Sequence, residues 1–132
     1  MKKGIILLLI ILSAGLLIVG CGGGDSANQN VVMDEPVPAG AGDATEVVLE
    51  FDPDTITPNE VTMKAGEKIL FVITNTDQEE DHNFLDSDSG LKEILVVPGQ
   101  TVRRLWTAPS SPGVYEPYCA IHPWIRMTFV VE

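Results

Sequence analysis

From Glu46 to the C-terminus the sequence predicts an all-β sandwich. Three observations carry this. Apolar residues come in short runs, and no segment holds helical spacing over three turns. Gly, Pro, Asn and Asp punctuate the runs as turn residues do. The runs also recur at regular short intervals, the pattern of a sandwich rather than of strand–helix–strand units.

Each element has its own reason. Val47, Leu49 and Phe51 alternate with Glu46, Val48 and Glu50, giving a first strand with one apolar face, ended by Asp52-Pro53-Asp54. Val61 to Lys64 forms a strand leading into a turn at Ala65-Gly66-Glu67. Ile69-Leu70-Phe71-Val72-Ile73 is almost wholly apolar, as in a strand covered on both faces or nearly so. Thr76-Asp77-Gln78 marks a loop. Phe84-Leu85, Thr101 to Thr107, Val114 to Tyr118 and Met127 to Val131 supply the remaining strands, and Leu91 to Val96 leaves room for one irregular turn. A domain spanning 45–132 buries a modest core, roughly 60–65% of its unfolded surface, so a bound metal would add noticeably to its stability.

The N-terminus reads as a separate functional segment. Lys2-Lys3 precede an apolar run from Gly4 to Val19, followed by Gly20-Cys21. This is a secretory pattern ending on small residues. It is similar to a bacterial lipobox, which implies a lipoprotein signal peptide over 1–20 and lipid on Cys21. The run is shorter than the ~20 residues a spanning helix needs. The protein is therefore expected outside the cytoplasm, anchored to a membrane by lipid. Residues 21–44 hold many breakers and little to bury, and are expected to form a flexible linker reaching about 25–29 Å.

Composition narrows the partners. The formal net charge is −11, and removing Lys2 and Lys3 leaves six basic against nineteen acidic residues. That balance argues against nucleic acid and against surface docking on anionic lipid, and suits a cationic partner or solubility alone. The chain has two cysteines. With Cys21 consumed by lipid, Cys119 has no disulfide partner, and in an exported protein such a thiol asks for an explanation.

The explanation lies in Tyr118-Cys119-Ala120-Ile121-His122-Pro123-Trp124-Ile125-Arg126-Met127. A thiol, an imidazole and a thioether share one loop, and the second of the chain's two histidines lies upstream in Asp81-His82-Asn83-Phe84. Two intervening residues between Cys119 and His122 let a loop bend both onto one ion. Two imidazoles, a thiolate and a weak axial thioether are the donors of a blue-copper centre. The chain resembles the cupredoxins, nearest the small plastocyanin, pseudoazurin and amicyanin types, over roughly residues 45–132.

The resemblance implies a Greek-key β-sandwich holding one type 1 copper ion on His82, Cys119, His122 and Met127. It places Asn83 beside the ligands, tying their two loops together, and it puts the edge of His122 near the surface within an apolar collar of Pro123, Trp124 and Ile125. Met127 completes the spacing of the plastocyanin and pseudoazurin types. The amicyanin-like form would put methionine where this chain has Ile125, so Met127 also has a reading as a core residue of the last strand. Tyr118 is either an electron route or packing.

The resemblance further implies a monomeric single-electron carrier, not an enzyme. Multicopper catalysis needs histidines beyond the two present, and a binuclear copper centre needs a second cysteine in the loop. Copper capture or delivery without electron transfer stays open as the alternative. Asp77, Glu79, Glu80 and Asp81 before His82, with Asp86 and Asp88 after it, form an acidic surface that would suit a basic redox protein such as a cytochrome c.

Overall fold

The computed structural model describes residues 31–132. The expected signal segment 1–20, Cys21 and the first part of the expected linker lie outside the described residues. Within them the chain is all-β, with nine strands: β1 Thr45–Phe51, β2 Ile56–Thr57, β3 Glu60–Met63, β4 Lys68–Asn75, β5 His82–Asp86, β6 Leu91–Val96, β7 Thr101–Thr107, β8 Gly113–Tyr115 and β9 Thr128–Val131. One sheet runs β2-β1-β4-β7 and another β3-β9-β8, with β5-β6 as a two-stranded ribbon. β1 runs parallel to β4 and β3 parallel to β9, while β7 and β8 pair antiparallel with their neighbours. Single bridges join Leu85 to Tyr118 and Tyr118 to Arg126, and so stitch β5 to the C-terminal loop.

The expected sandwich is what the chain forms. Val47, Leu49 and Phe51 point inward from β1, and Ile69, Phe71 and Ile73 from β4. They meet Phe84 of β5 and Phe129 of β9 in one core, where the Phe71 ring lies 5.9 Å from Phe84 and 5.8 Å from Phe129, edge-on to the first and stacked on the second. Such aromatic pairs are worth about 0.5–1.5 kcal/mol beyond the area they bury. Asp52 closes the β1–β2 turn, its carboxylate accepting from the amides of Asp54 (2.8 Å) and Thr55 (2.7 Å).

Two expectations change. Leu91 to Val96 is a strand, not an irregular turn. The register with β5 slips between Phe84 and Asp86, so Phe84 faces Ile94 while Asp86 faces Leu91. The extra residue on β6 breaks the two-residue period, leaving Leu91, Ile94 and Val96 inward at spacings of three and two. The second change is in the expected linker, whose later half is docked. Asp34 bridges Thr101 in parallel register, Glu35 N–H donates to Thr101 O (3.0 Å) and Thr101 N–H donates to Met33 O (2.8 Å). Arg103 holds Asp34 and Arg104 holds Glu35, while Lys68 pairs with Asp43 at 2.6 Å. Residues 33–35 thereby cover part of the open edge of β7. The folded unit begins well before Thr45.

Candidate metal centre

Two elements deliver the donors. His82 opens β5, directly after the loop following β4. Cys119 and His122 lie in the loop between β8 and β9, folded back by Cys119 N–H to Ile125 O (3.0 Å) and Ile125 N–H to His122 O (2.9 Å). Phe51, at the end of β1, stacks on the His82 ring at 4.9 Å and 12°, so the core itself fixes that imidazole's plane.

The fold brings His82, Cys119 and His122 together, all buried. Cys119 Sγ lies 3.8 Å from His82 Nδ1 and 3.7 Å from His122 Nδ1, and the two Nδ1 atoms are 3.2 Å apart. An ion in the plane of such donors at about 2.0–2.3 Å from each would hold them roughly 3.5–4.0 Å apart, close to this triangle.

Electron-pair bookkeeping favours a cation at its centre. His122 Nε2 donates to Glu80 Oε2 at 2.7 Å, and His82 Nε2 faces Asp77 Oδ2 across 3.5 Å. The Glu80 carboxylate on His122 Nε2 places that ring's proton there and leaves its Nδ1 as a lone pair, while the Asp77 carboxylate faces His82 Nε2 without a well-formed hydrogen bond. Cys119 Sγ already accepts from the amides of Asn83 (3.5 Å) and His122 (3.4 Å). Burial lowers the His82 pKa, and the neighbouring His122 pushes the same way against Asp77 and Glu80, so the ring is held neutral, as a ligand must be. Asp77 is kept a carboxylate by the Glu79 amide above all, with the Glu80 amide and His82 adding to it against burial. Two imidazoles and a cysteine sulfur facing one another suit a soft, thiolate-preferring metal ion.

Asn83 spans both donor loops. Its Oδ1 accepts from Ala120 N–H at 2.7 Å and more weakly from Ile121 N–H at 3.4 Å, and its Nδ2 donates to Glu93 Oε1 at 2.6 Å. Met127 is buried and belongs to the core cluster that also contains Cys119. Tyr118 lies under the Arg126 guanidinium, 5.4 Å from its ring centre.

The surface differs from the expected collar in two ways. His122 is only 6% exposed, and Ile125 is buried while Ile121, Pro123 and Trp124 face solvent. Trp124, 64% exposed, meets the His122 ring edge-on at 5.2 Å. The acidic surface is also smaller than expected: Asp77 and Asp86 are buried, each accepting backbone amides, and Glu80 is tied to His122. Sequence reasoning missed Asn75, Asp77 and Glu80 as parts of the centre. Their signal was a dense polar loop directly before a candidate ligand, read as surface charge.

Comparison with known proteins agrees with this fold. Comparison with curated protein sequences finds no significant match. Among solved structures, auracyanin A, a "blue" copper protein from Chloroflexus aurantiacus, is 17% identical and covers 67% of this chain and 99% of its own, with a TM-score of 0.57. Reduced auracyanin from Roseiflexus castenholzii gives 19%, 69%, 99% and 0.57 in the same order. An oxidised amicyanin mutant gives 20%, 73%, 89% and 0.51. At these identities the likeness is one of fold. A family model described as the cupredoxin-like domain matches residues 22–131, and on that match the chain belongs to the cupredoxin-like domain family.

Proposed function

We propose that this protein holds one copper ion on His82 Nδ1, Cys119 Sγ and His122 Nδ1, with Met127 as weak axial thioether, and relays single electrons between redox partners outside the cytoplasm. The observation that carries this is the buried triangle of two imidazole nitrogens and one cysteine sulfur, with the His122 ring proton drawn outward by Glu80. Copper bound to such a set supplies a one-electron couple whose two oxidation states share a similar geometry.

The chain's own residues supply the rest. Phe51, Asn83 and Glu80 hold the donors in place, so little needs to move when charge changes. Trp124 against His122 offers the route to the surface, with exposed Glu79 and Asp81 nearby in sequence to orient a basic partner such as a cytochrome c. Lipid on Cys21 would tether the domain to a membrane. No acid–base pair or substrate is needed.

The test is to add Cu(II) to the purified metal-free protein. An intense visible thiolate charge-transfer band is expected, bleached by reductant, restored on reoxidation, and absent in Cys119→Ser. An unchanged spectrum in that variant would remove the assignment. Loss of the ion on each reduction would favour copper capture or delivery instead.

A further inference from the structure

The two imidazoles of the triangle are gripped unequally. His82, at the inner side, is stacked on Phe51, and its Nε2 makes no well-formed hydrogen bond among the described residues. His122, at the outer side, has its Nε2 in a direct 2.7 Å contact with Glu80 Oε2. The Glu80 side chain is 63% exposed although the ring it contacts is almost wholly covered. A carboxylate so placed would normally be free to swing into water, yet its backbone is fixed on both sides. Asn75, fully buried, donates from Nδ2 to Glu80 O at 2.9 Å and to Val96 O at 3.0 Å, and its Oδ1 accepts from Asp77 N–H at 2.9 Å. Asp77 Oδ1 in turn accepts from Glu79 N–H at 2.9 Å and Glu80 N–H at 3.4 Å. The end of β4 thus carries a braced loop that delivers one carboxylate to the outer histidine.

Resting on the copper reading above, we propose that Glu80 is a positioning residue for His122. Its hydrogen bond keeps the ring proton on Nε2, keeps the Nδ1 lone pair aimed at Cys119 and His82, and makes His122 a stronger donor. A stronger donor favours the more highly charged oxidation state, so Glu80 lowers the reduction potential as well as retaining the ion. The geometry also separates Glu80 from its neighbours: Glu79 carries the same charge one residue away, and among the described residues its side chain makes no hydrogen bond or ion pair with either histidine.

The test compares Glu80→Ala, Glu80→Gln and Glu79→Gln with the parent. In the metal-free protein, long-range 1H–15N imidazole correlations read the tautomer directly. The parent is expected to show His122 as the Nε2–H form, Glu80→Ala a mixture, and Glu80→Gln a largely retained Nε2–H form through its amide oxygen. Competition against a chelator with Zn(II) as probe should show about ten- to hundred-fold weaker binding in Glu80→Ala, the usual loss when a carboxylate behind a ligand histidine is removed. Glu80→Gln should recover part of that loss, and Glu79→Gln should match the parent. With copper, the potential of Glu80→Ala should rise, by about 59 mV for each tenfold by which Cu(II) is weakened more than Cu(I). An unchanged His122 tautomer in Glu80→Ala would overturn the proposal, as would equal losses in Glu80→Ala and Glu79→Gln, which would reduce the effect to overall charge. The tautomer and zinc measurements do not depend on copper, so a protein that never turned blue would sink the electron-transfer reading while still deciding the role of Glu80.

Discussion

Replacing Asn83 with alanine separates the two loops that carry the donors, and the cost follows from its contacts. The side chain is 5% exposed, and it makes one strong bond to Ala120 N–H (2.7 Å), one to Glu93 (2.6 Å), and a long contact to Ile121 N–H that adds little. A buried neutral hydrogen bond contributes about 1 kcal/mol net, and one to a charged group about 1.5–3 kcal/mol. Glu93 is exposed and regains water, which places its share at the low end. Asn83→Ala should therefore cost about 2–3 kcal/mol, and for a unit near a hundred residues the melting temperature of the metal-free protein should fall by roughly 8–20 °C. Urea unfolding of the same samples gives the free energy directly. Asn83→Asp should cost at least as much, because it sets a second carboxylate against Glu93. Adding Glu93→Gln to Asn83→Asp should restore at least part of the loss, since the Gln amide can donate where the Asn amide did. If Asn83→Ala unfolds within about 0.5 kcal/mol of the parent, or if Glu93→Gln gives no rescue, the two loops are held by something other than this side chain.

Other consequences can be checked separately. Met127→Leu nearly conserves volume, so it should cost under about 1.5 kcal/mol of stability while raising the reduction potential and keeping the blue band; an unmoved potential would make Met127 a core residue alone. The Glu35 pKa is lowered below its ordinary 4.5, first by its hydrogen bond to Arg104 and against burial, with Arg103 assisting. A depressed carboxylate stabilises the fold above its unfolded pKa and loses that contribution as pH falls through the folded value. Amide protection factors at Glu35 and Thr101 should therefore fall as the pH drops below the ordinary carboxylate range in the parent, and Glu35→Gln should show low protection at neutral pH too. Neutralising Glu79 and Asp81 together should slow electron exchange with a cationic cytochrome at low salt, with the difference shrinking as salt screens it; equal rates at low ionic strength would leave these residues as plain surface.

What the sequence made legible, and what it hid, divides along one physical line. Alternation in Thr45–Phe51 and the apolar run in Lys68–Asn75 are local signals, because a strand's burial period is written in consecutive residues. Leu91–Val96 lost that period to a bulge, and a bulge is set by the partner strand, which local reading does not see. The same division holds at the metal centre. Cys119 and His122 are three apart and were legible as a pair, and His82 was found because the chain offers no other imidazole. Glu80 and Asp77 were legible only as charge. Their role depends on Asn75 bracing the loop and on His122 arriving from forty-two residues away, a contact that exists only after the sandwich has closed. The docked segment at Asp34 and Glu35 failed for the same reason: its apolar Val31, Val32 and Met33 stay exposed, and its partners Thr101, Arg103 and Arg104 lie on a distant strand. Side chains that carry chemistry by their own type can be read one at a time. Side chains that act by holding another residue cannot, because their function is a distance, and the fold creates that distance.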